Sequence, residues 1–333
     1  LESLFKTWVC NKFFQEEIAM AISKQKIRAA RISLATAAGL TTLKLIAAAA
    51  TGSLAVLSSG IDSVLDILMS GANYLAIRQA EQPPDPKHPF GHGKFETVAT
   101  IFQSLVIALS GCWVLFEAIR RLFRGAELSN LEGGIAVLLI SSGVSWKISR
   151  FLKDTAKKTD SSALKADSLH FSMDVYTNLA LMAGLAVIYL AGITWLDPIL
   201  SILVGCYILF EAVRLIRHGM GDILDEQLPD SIREEITHVL ERHRNSLLDY
   251  HRLRTRRAGS QKIIDFHLTV CRHMTVEESH RIADHLEKRI RDKVIGSDVT
   301  IHVEPCAKEE CPGREVCLEA TLRPAGNEKR PRP

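Results

Sequence analysis

The 333-residue chain has almost no excess of either charge. Forty-one Lys and Arg stand against 38 Asp and Glu, a formal net charge of +3, too small to argue for binding nucleic acid. There is no Walker A run and no other nucleotide-binding motif, so ATP is not expected to drive its work. No short apolar region with a small-residue cleavage site precedes the first long apolar stretch, and no cleavable signal peptide is expected. The seven cysteines do not form a secreted disulfide framework. Cys112 and Cys206 lie in apolar stretches, Cys10 and Cys271 are isolated, and Cys306, Cys311 and Cys317 cluster near the C-terminal end. That usage fits a reducing compartment.

What the chain has is apolar sequence, unevenly placed. Hydrophobic residues make up 47% of it, concentrated between about 32 and 217, while the chain from about 226 onward is polar and charged. Six apolar segments, roughly 32–51, 54–78, 97–123, 131–152, 166–190 and 195–217, are long enough to span a bilayer. The expected fold is an α-helical membrane protein with six transmembrane helices, followed by a C-terminal α+β domain. The expected division is 1–30 as an amphipathic or loosely ordered cytoplasmic segment, 31–225 as the membrane domain, 226–306 as the cytoplasmic domain and 307–333 as a disordered tail. Lys and Arg crowd the N-terminal segment, the 79–96 loop and a 147–165 linker, whereas Gly52-Ser53 and the 191–195 turn have none. This bias places both termini in the cytoplasm. Arg120, Arg121 and Arg124 run against the bias without reversing it.

Within the second apolar segment, Asp62 and Asp66 stand one helical turn apart on one face. A carboxylate near a membrane centre costs about 2.5–3.5 kcal/mol on insertion scales. Metal or proton binding is the usual reason for two; an inter-helix hydrogen bond or a protonated carboxyl is the alternative. His170 and Asp174 repeat the spacing in the fifth segment. If the helices pack, one nitrogen and three oxygen donors converge, a set suited to tetrahedral Zn2+, with Fe2+, Cd2+, Co2+ or Mn2+ as alternatives. A set without thiolates suits a site that releases its cargo. Lys44, inside the first span, reads as snorkelling or paired within the bundle.

The loop from Pro83 to Lys94 is rich in Pro and Gly and carries Asp85, His88 and His92. These could hold one Zn2+, or be polar residues of a plain turn. Beyond residue 226 the pattern reads α-β-β-α-β: helix Asp230–Arg244, strands Tyr250–Arg256 and Ile263–Val270, helix Val276–Val294 and strand Asp298–Val303. The order suggests a small ferredoxin-like, metallochaperone-like sandwich. His251, His267 and His302 fall in its strands, His280 in a helix, and Glu304 two residues after His302. They could build a one- or two-metal site, or be scattered surface residues. Arg252, Arg254, Arg256 and Arg257 read as a solvated strand-turn or a surface facing anionic lipid. The three tail cysteines are either incidental thiols or extra metal capture.

Taken together, Gly52-Ser53, Asp62/Asp66, His88-Pro-Phe-Gly-His92-Gly-Lys94, His170/Asp174, Leu224-Asp225…Leu228-Pro229-Asp230 and Gly296-Ser297-Asp298-Val299…His302 resemble the cation diffusion facilitator family, in its bacterial zinc and ferrous-iron efflux branch. The resemblance spans roughly 30–306. It implies a homodimeric, multi-pass divalent-metal/proton antiporter of a bacterial inner membrane, not an enzyme. It implies transport ligands at Asp62, Asp66, His170 and Asp174, and an accessory loop site at Asp85, His88 and His92. A cytoplasmic binuclear site is implied at His251, His267, His280, His302 and Glu304, where the family prototype has Asp at the last position. Lys94 and Asp225 match a charge interlock at the dimer interface. His170 in place of Asp looks like the zinc-type site.

Shared ligands would couple metal exit to proton entry, since protonating a histidine of unperturbed pKa about 6.5 weakens metal binding. Two other classes stay open: an intramembrane metalloenzyme, for which no separate general base or substrate motif is seen, and a metal sensor that binds without translocating.

Overall fold

The computed structural model describes residues 2–51, 54–124, 135–191, 195–244 and 247–307. The Gly52-Ser53 connection, most of the 191–195 turn, Cys311 and Cys317 lie outside them. The chain divides into two compact units, residues 1–224 and 225–333.

Among the described residues the first unit is six long helices: α1 (Glu2–Thr51), α2 (Leu54–Ala80), α3 (Lys94–Arg124), α4 (Ile135–Thr159), α5 (Ser162–Ala191) and α6 (Leu196–Ile223). The segment 1–30, expected as separate, continues into α1 as one helix. It is also tied to the unit's interior, for Lys26, Ala29 and Ala30 are buried. The expected 147–165 linker is helical as well, and α4 and α5 meet at Asp160-Ser161 alone. Asp160 takes φ 53°, the left-handed conformation that Asp tolerates better than most side chains. Ser161 then accepts from the Leu164 N–H at 3.2 Å and starts α5.

The helices pack chiefly as α1 on α2, α3 on α6 and α4 on α5, with α2 and α5 also in contact. Small residues permit the close approaches. A Cβ added at Gly111 of α3 would lie 2.9 Å from the Ile208 side chain, and one at Gly205 of α6 would lie 2.8 Å from that of Leu115. Between α4 and α5, Ser149 bonds the Ser168 carbonyl and Ser168 bonds the Ser149 carbonyl, each at 2.9 Å. Small and hydroxylic residues are the usual contacts between helices in lipid.

Large apolar side chains such as Leu68, Leu109, Trp113, Phe116 and Phe210 are exposed on this unit, whereas Lys26, Ser33, Glu96, Gln103 and Asp167 are buried. That inversion suits a hydrocarbon solvent. Among the described residues, Met20–Ala50, Lys94–Phe123 and Pro198–Ile223 are long and apolar enough to cross a membrane. Charged residues lower the hydropathy of α4, with Lys147, Arg150 and Lys153 among them. Of the arginines that oppose the charge bias, Arg120 and Arg121 both pair with Glu117, at 3.4 and 3.1 Å.

The second unit is α7 (Asp230–Arg242), β1 (Asp249–Ala258), β2 (Gln261–Val270), α8 (Val276–Lys293) and β3 (Ser297–Pro305). The sheet order is β1-β2-β3, antiparallel then parallel. The parallel pair requires a crossover, which α8 supplies. Thr275 and Glu278 form a capping box at the start of α8. Ile236, Leu240, Leu286 and Ile290 of the helices pack with Ile264, Phe266, Leu268 and Val299 of the strands. The helices therefore cover one face of the sheet. The alternate strand residues, His267 and His302 among them, belong to the other face.

Candidate metal centres

Helices α2 and α5 carry the first cluster. One ligand atom each from Asp66, His170 and Asp174 lies within 4.8 Å of the others. His170 Nε2 is 3.1 Å from Asp66 Oδ1, an ion-pair contact when the ring is protonated, and among the described residues this buried nitrogen makes no well-aligned hydrogen bond. A buried polar atom without a partner is costly unless a ligand completes it. Asp62 lies one turn before Asp66 on α2; its side chain is outside the described residues. Lys44 donates to Ser63 Oγ at 2.6 Å, in keeping with pairing inside the bundle.

Below this cluster along α5 is a carboxylate that the sequence reading passed over. Asp167 precedes His170 by three residues and Asp174 by seven, so all three share a helix face. It is fully buried, and accepts from Ser33 Oγ of α1 at 2.5 Å and Gln103 Nε2 of α3 at 3.2 Å. A second buried network lies nearer the helix ends. Lys26 Nζ reaches Glu81 at 2.6 Å and Glu96 at 3.2 Å, and Glu96 also accepts from Ser161 Oγ. For Asp167 the available signal was its place in the fifth apolar segment; Lys26, Glu81 and Glu96 lie in polar flanks and gave none, and the partners are 55 to 134 residues distant in sequence.

The loop between α2 and α3 brings Asp85, His88 and His92 together, again within 4.8 Å. Asp85 Oδ1 accepts from the backbone N–H groups of Lys87 and His88 at 2.8 and 2.6 Å. Those bonds, with that of His88 foremost, hold its carboxyl below the usual aspartate range. The other oxygen, Oδ2, is 3.4 Å from His92 Nε2. Gly91, at φ 78°, makes the turn that brings His92 back toward Asp85.

On the open face of the second unit's sheet, His251, His267 and His302 form one row across β1, β2 and β3, each opposite the next. Glu304 Oε1 accepts from His267 Nδ1 at 2.7 Å, and Oε2 lies 3.3 Å from His251 Nε2. The bond from His267 is the main cause that holds the Glu304 carboxyl below its ordinary range. His251, His267 and Glu304 meet the 4.8 Å criterion together. His302, more exposed, has Nε2 3.6 Å from Glu304. The row depends on a bulge in β1, where Arg252 at φ 54° inserts one extra residue between His251 and Arg254. His280 is not in this group; it lies on α8, in the layer that covers the opposite face.

Among the four clustered arginines, Arg257 is buried and Arg256 lies 3.5 Å from Asp225, so neither is simply solvated strand-turn. Lys94 opens α3 in the first unit, and Asp225 opens the second. Cys306 is buried, its N–H bonded to the Val270 carbonyl at 3.0 Å, so it closes the sheet and is not part of a loose tail.

Residues 30–224 match the model of the cation efflux transmembrane domain, and residues 228–306 match that of the cation efflux protein cytoplasmic domain. The chain belongs to the cation efflux, or cation diffusion facilitator, family. It is 33% identical over 296 residues to the cation-efflux pump FieF of Salmonella newport, covering 87% of this chain and 96% of that protein. It is 32% identical over 274 residues to an uncharacterized transporter of Synechocystis sp., covering 82% and 88%. Among solved structures, the metal-bound C-terminal domain of the CzcD transporter from Thermotoga maritima is 32% identical, covering 24% of this chain and 93% of that one, with a TM-score of 0.23. The family is one of cation efflux transporters, which accounts for a helical membrane domain joined to an α+β domain with candidate metal sites on both.

Proposed function

We propose that this protein exports divalent cations from the cytoplasm, Zn2+ foremost with Fe2+, Cd2+, Co2+ or Mn2+ as alternative cargo, in exchange for protons. The reading rests above all on Asp66, His170 and Asp174, whose ligand atoms meet on α2 and α5 around a buried imidazole nitrogen that has no well-aligned hydrogen bond among the described residues. Asp62, one turn before Asp66, is the fourth ligand in this reading. One imidazole and carboxylates suit a borderline cation that must be released. The ligands must be deprotonated to bind metal, so protons arriving from outside compete for them and expel the cargo. Alternating access between the two sides of a bacterial inner membrane then couples the two flows.

The same reading makes all six long helices of the first unit membrane-crossing and puts both termini in the cytoplasm. The chain works as a homodimer, with Lys94 and Asp225 interlocking at its seam. Asp85, His88 and His92 are an accessory loop site. His251, His267, His302 and Glu304 are a regulatory site whose filling favours the transporting state, without His280, which lies in the layer across the sheet.

The test is Zn2+ flux into proteoliposomes under an imposed pH gradient. Flux that follows the gradient and vanishes in Asp174→Ala supports antiport through this site. Binding without flux for every cation on the list would point to a sensor instead.

A further inference from the structure

A second pair of histidines lies away from every cluster above. His243 is the C-terminal cap of α7 and His285 lies in α8. Their Nε2 atoms are 3.1 Å apart, and their rings meet nearly edge to face, centroids 5.0 Å apart. The side chains line an open cleft of roughly 350 Å³ together with Met274, Glu278, Arg281 and Ile282. The row of His251, His267 and His302 is on the other face of the sheet, across the apolar core.

We propose that His243 and His285 form a separate divalent transition-metal site on the helical face of the second unit, fitting Zn2+ or Cu2+, with water completing the coordination. Three features carry it. First, His243 Nδ1 is 2.7 Å from the Val239 carbonyl, which can only accept, so Nδ1 holds the proton and Nε2 presents its lone pair toward His285. A second bond of this kind is the usual device that orients a ligating imidazole. Second, Zn–N bonds of about 2.0–2.1 Å put two neighbouring imidazole nitrogens on one ion roughly 3–3.4 Å apart, which is the spacing found here. Third, the pair meets at the C-terminal end of α7, where the helix dipole favours a cation. Lys288 and Arg289 lie on α8 close to His285. The nearby cations weaken the site, and two imidazoles with water make it an exchangeable one.

The bound ion would tie the end of α7 to the middle of α8. It would thus hold metal on the second unit independently of the sheet site, and it rests on none of the transport reading.

The experiment is the Zn2+ content of the full chain in detergent, by atomic absorption after desalting at fixed free Zn2+, in a His267→Ala/Glu304→Ala background that removes the sheet cluster. His243→Gln and His285→Gln are each expected to lower the content by about one ion per chain, with the melting temperature of the metal-free protein unchanged in His285→Gln. An unchanged content in His285→Gln overturns the site. So does a loss in His285→Gln that His243→Gln does not share. His285 is exposed and hydrogen-bonded only to His243 among the bonds described, so its variant keeps the test valid if His243→Gln misfolds.

Discussion

In the first unit Lys26, Glu96 and Asp167 are fully buried beside apolar side chains such as Ile77, Leu152 and Phe171, while Leu109 is 70% and Phe210 67% exposed; in the second the fully buried side chains, Ile236, Ile264, Phe266, Leu286 and Ile290 among them, are apolar, while the His302 side chain is 66% exposed. One unit admits charges to its interior and leaves large apolar side chains outside; the other keeps its fully buried positions apolar. The difference follows from the solvent around each. Lipid offers no hydrogen bonds and no charge screening, so polar groups must meet one another or a ligand. Water satisfies polar groups anywhere, so the second unit can keep its histidines on an open face and spend its interior on apolar packing. The Asp66, His170 and Asp174 cluster accordingly sits among buried groups, and the sheet cluster lies on a partly exposed face.

The largest expected effect is on transport. Partners that only orient metal ligands are typically worth about 10–100-fold in affinity or activity; on the proposed reading Asp174 is itself a ligand, and Asp174→Ala should reduce Zn2+ flux by more than about 100-fold. His267→Ala in the sheet cluster should leave a measurable flux that no longer responds to cytosolic metal. Equal loss in both variants, in a proteoliposome assay, would break the division of roles between the units.

Next is the buried triad of Lys26, Glu81 and Glu96. Lys26→Met leaves a buried carboxylate unpaired and should cost about 3–5 kcal/mol, read as a fall in unfolding midpoint in detergent. Adding Glu96→Gln should recover part of it, because the unpaired charge is then gone. No recovery would mean that Lys26 acts through packing.

In the second unit, Leu286→Ala, at a fully buried position, should cost about 2–5 kcal/mol, measured by the cooperative unfolding of that unit. The effect should leave Zn2+ binding by Asp66, His170 and Asp174 intact.

The smallest effect is one of pH. The carboxyl of Glu304 is held below its unfolded value of about 4.3, chiefly by the bond from His267. The folded state therefore gains from ionised Glu304 above that value and loses the gain as pH falls through the lower, folded pKa. Glu304→Gln should be less stable than wild type at neutral pH and should converge with it in acid. An acid denaturation series on both proteins checks the sign; a difference that grows in acid would refute it.

Local order was readable because it needs only near neighbours. The α-β-β-α-β order followed from hydrophobic periods and turn residues, and the strand β2 began within two residues of its expected start. The paired spacings Asp62/Asp66 and His170/Asp174 pointed to one face of each helix for the same reason. The 147–165 stretch was misjudged because its many lysines read as a loop, whereas a helix can carry them outward past the bilayer edge. Segment 1–30 was read as a separate piece because its polarity hid the continuity of α1.

The sequence by itself determined the division into apolar and polar halves, the elements, and the short-range ligand spacings, since periodicity and composition act over a few residues. Only the tertiary structure decided which distant groups meet. It joined Asp167 to Ser33 and Gln103, and Lys26 to Glu81 and Glu96. It aligned three histidines through one bulge in β1 while leaving His280 on the other layer, and it brought His243 to His285 across 42 residues. Such contacts depend on helix rotation and strand register, which are set by the packing of whole faces and not by any local run of residues.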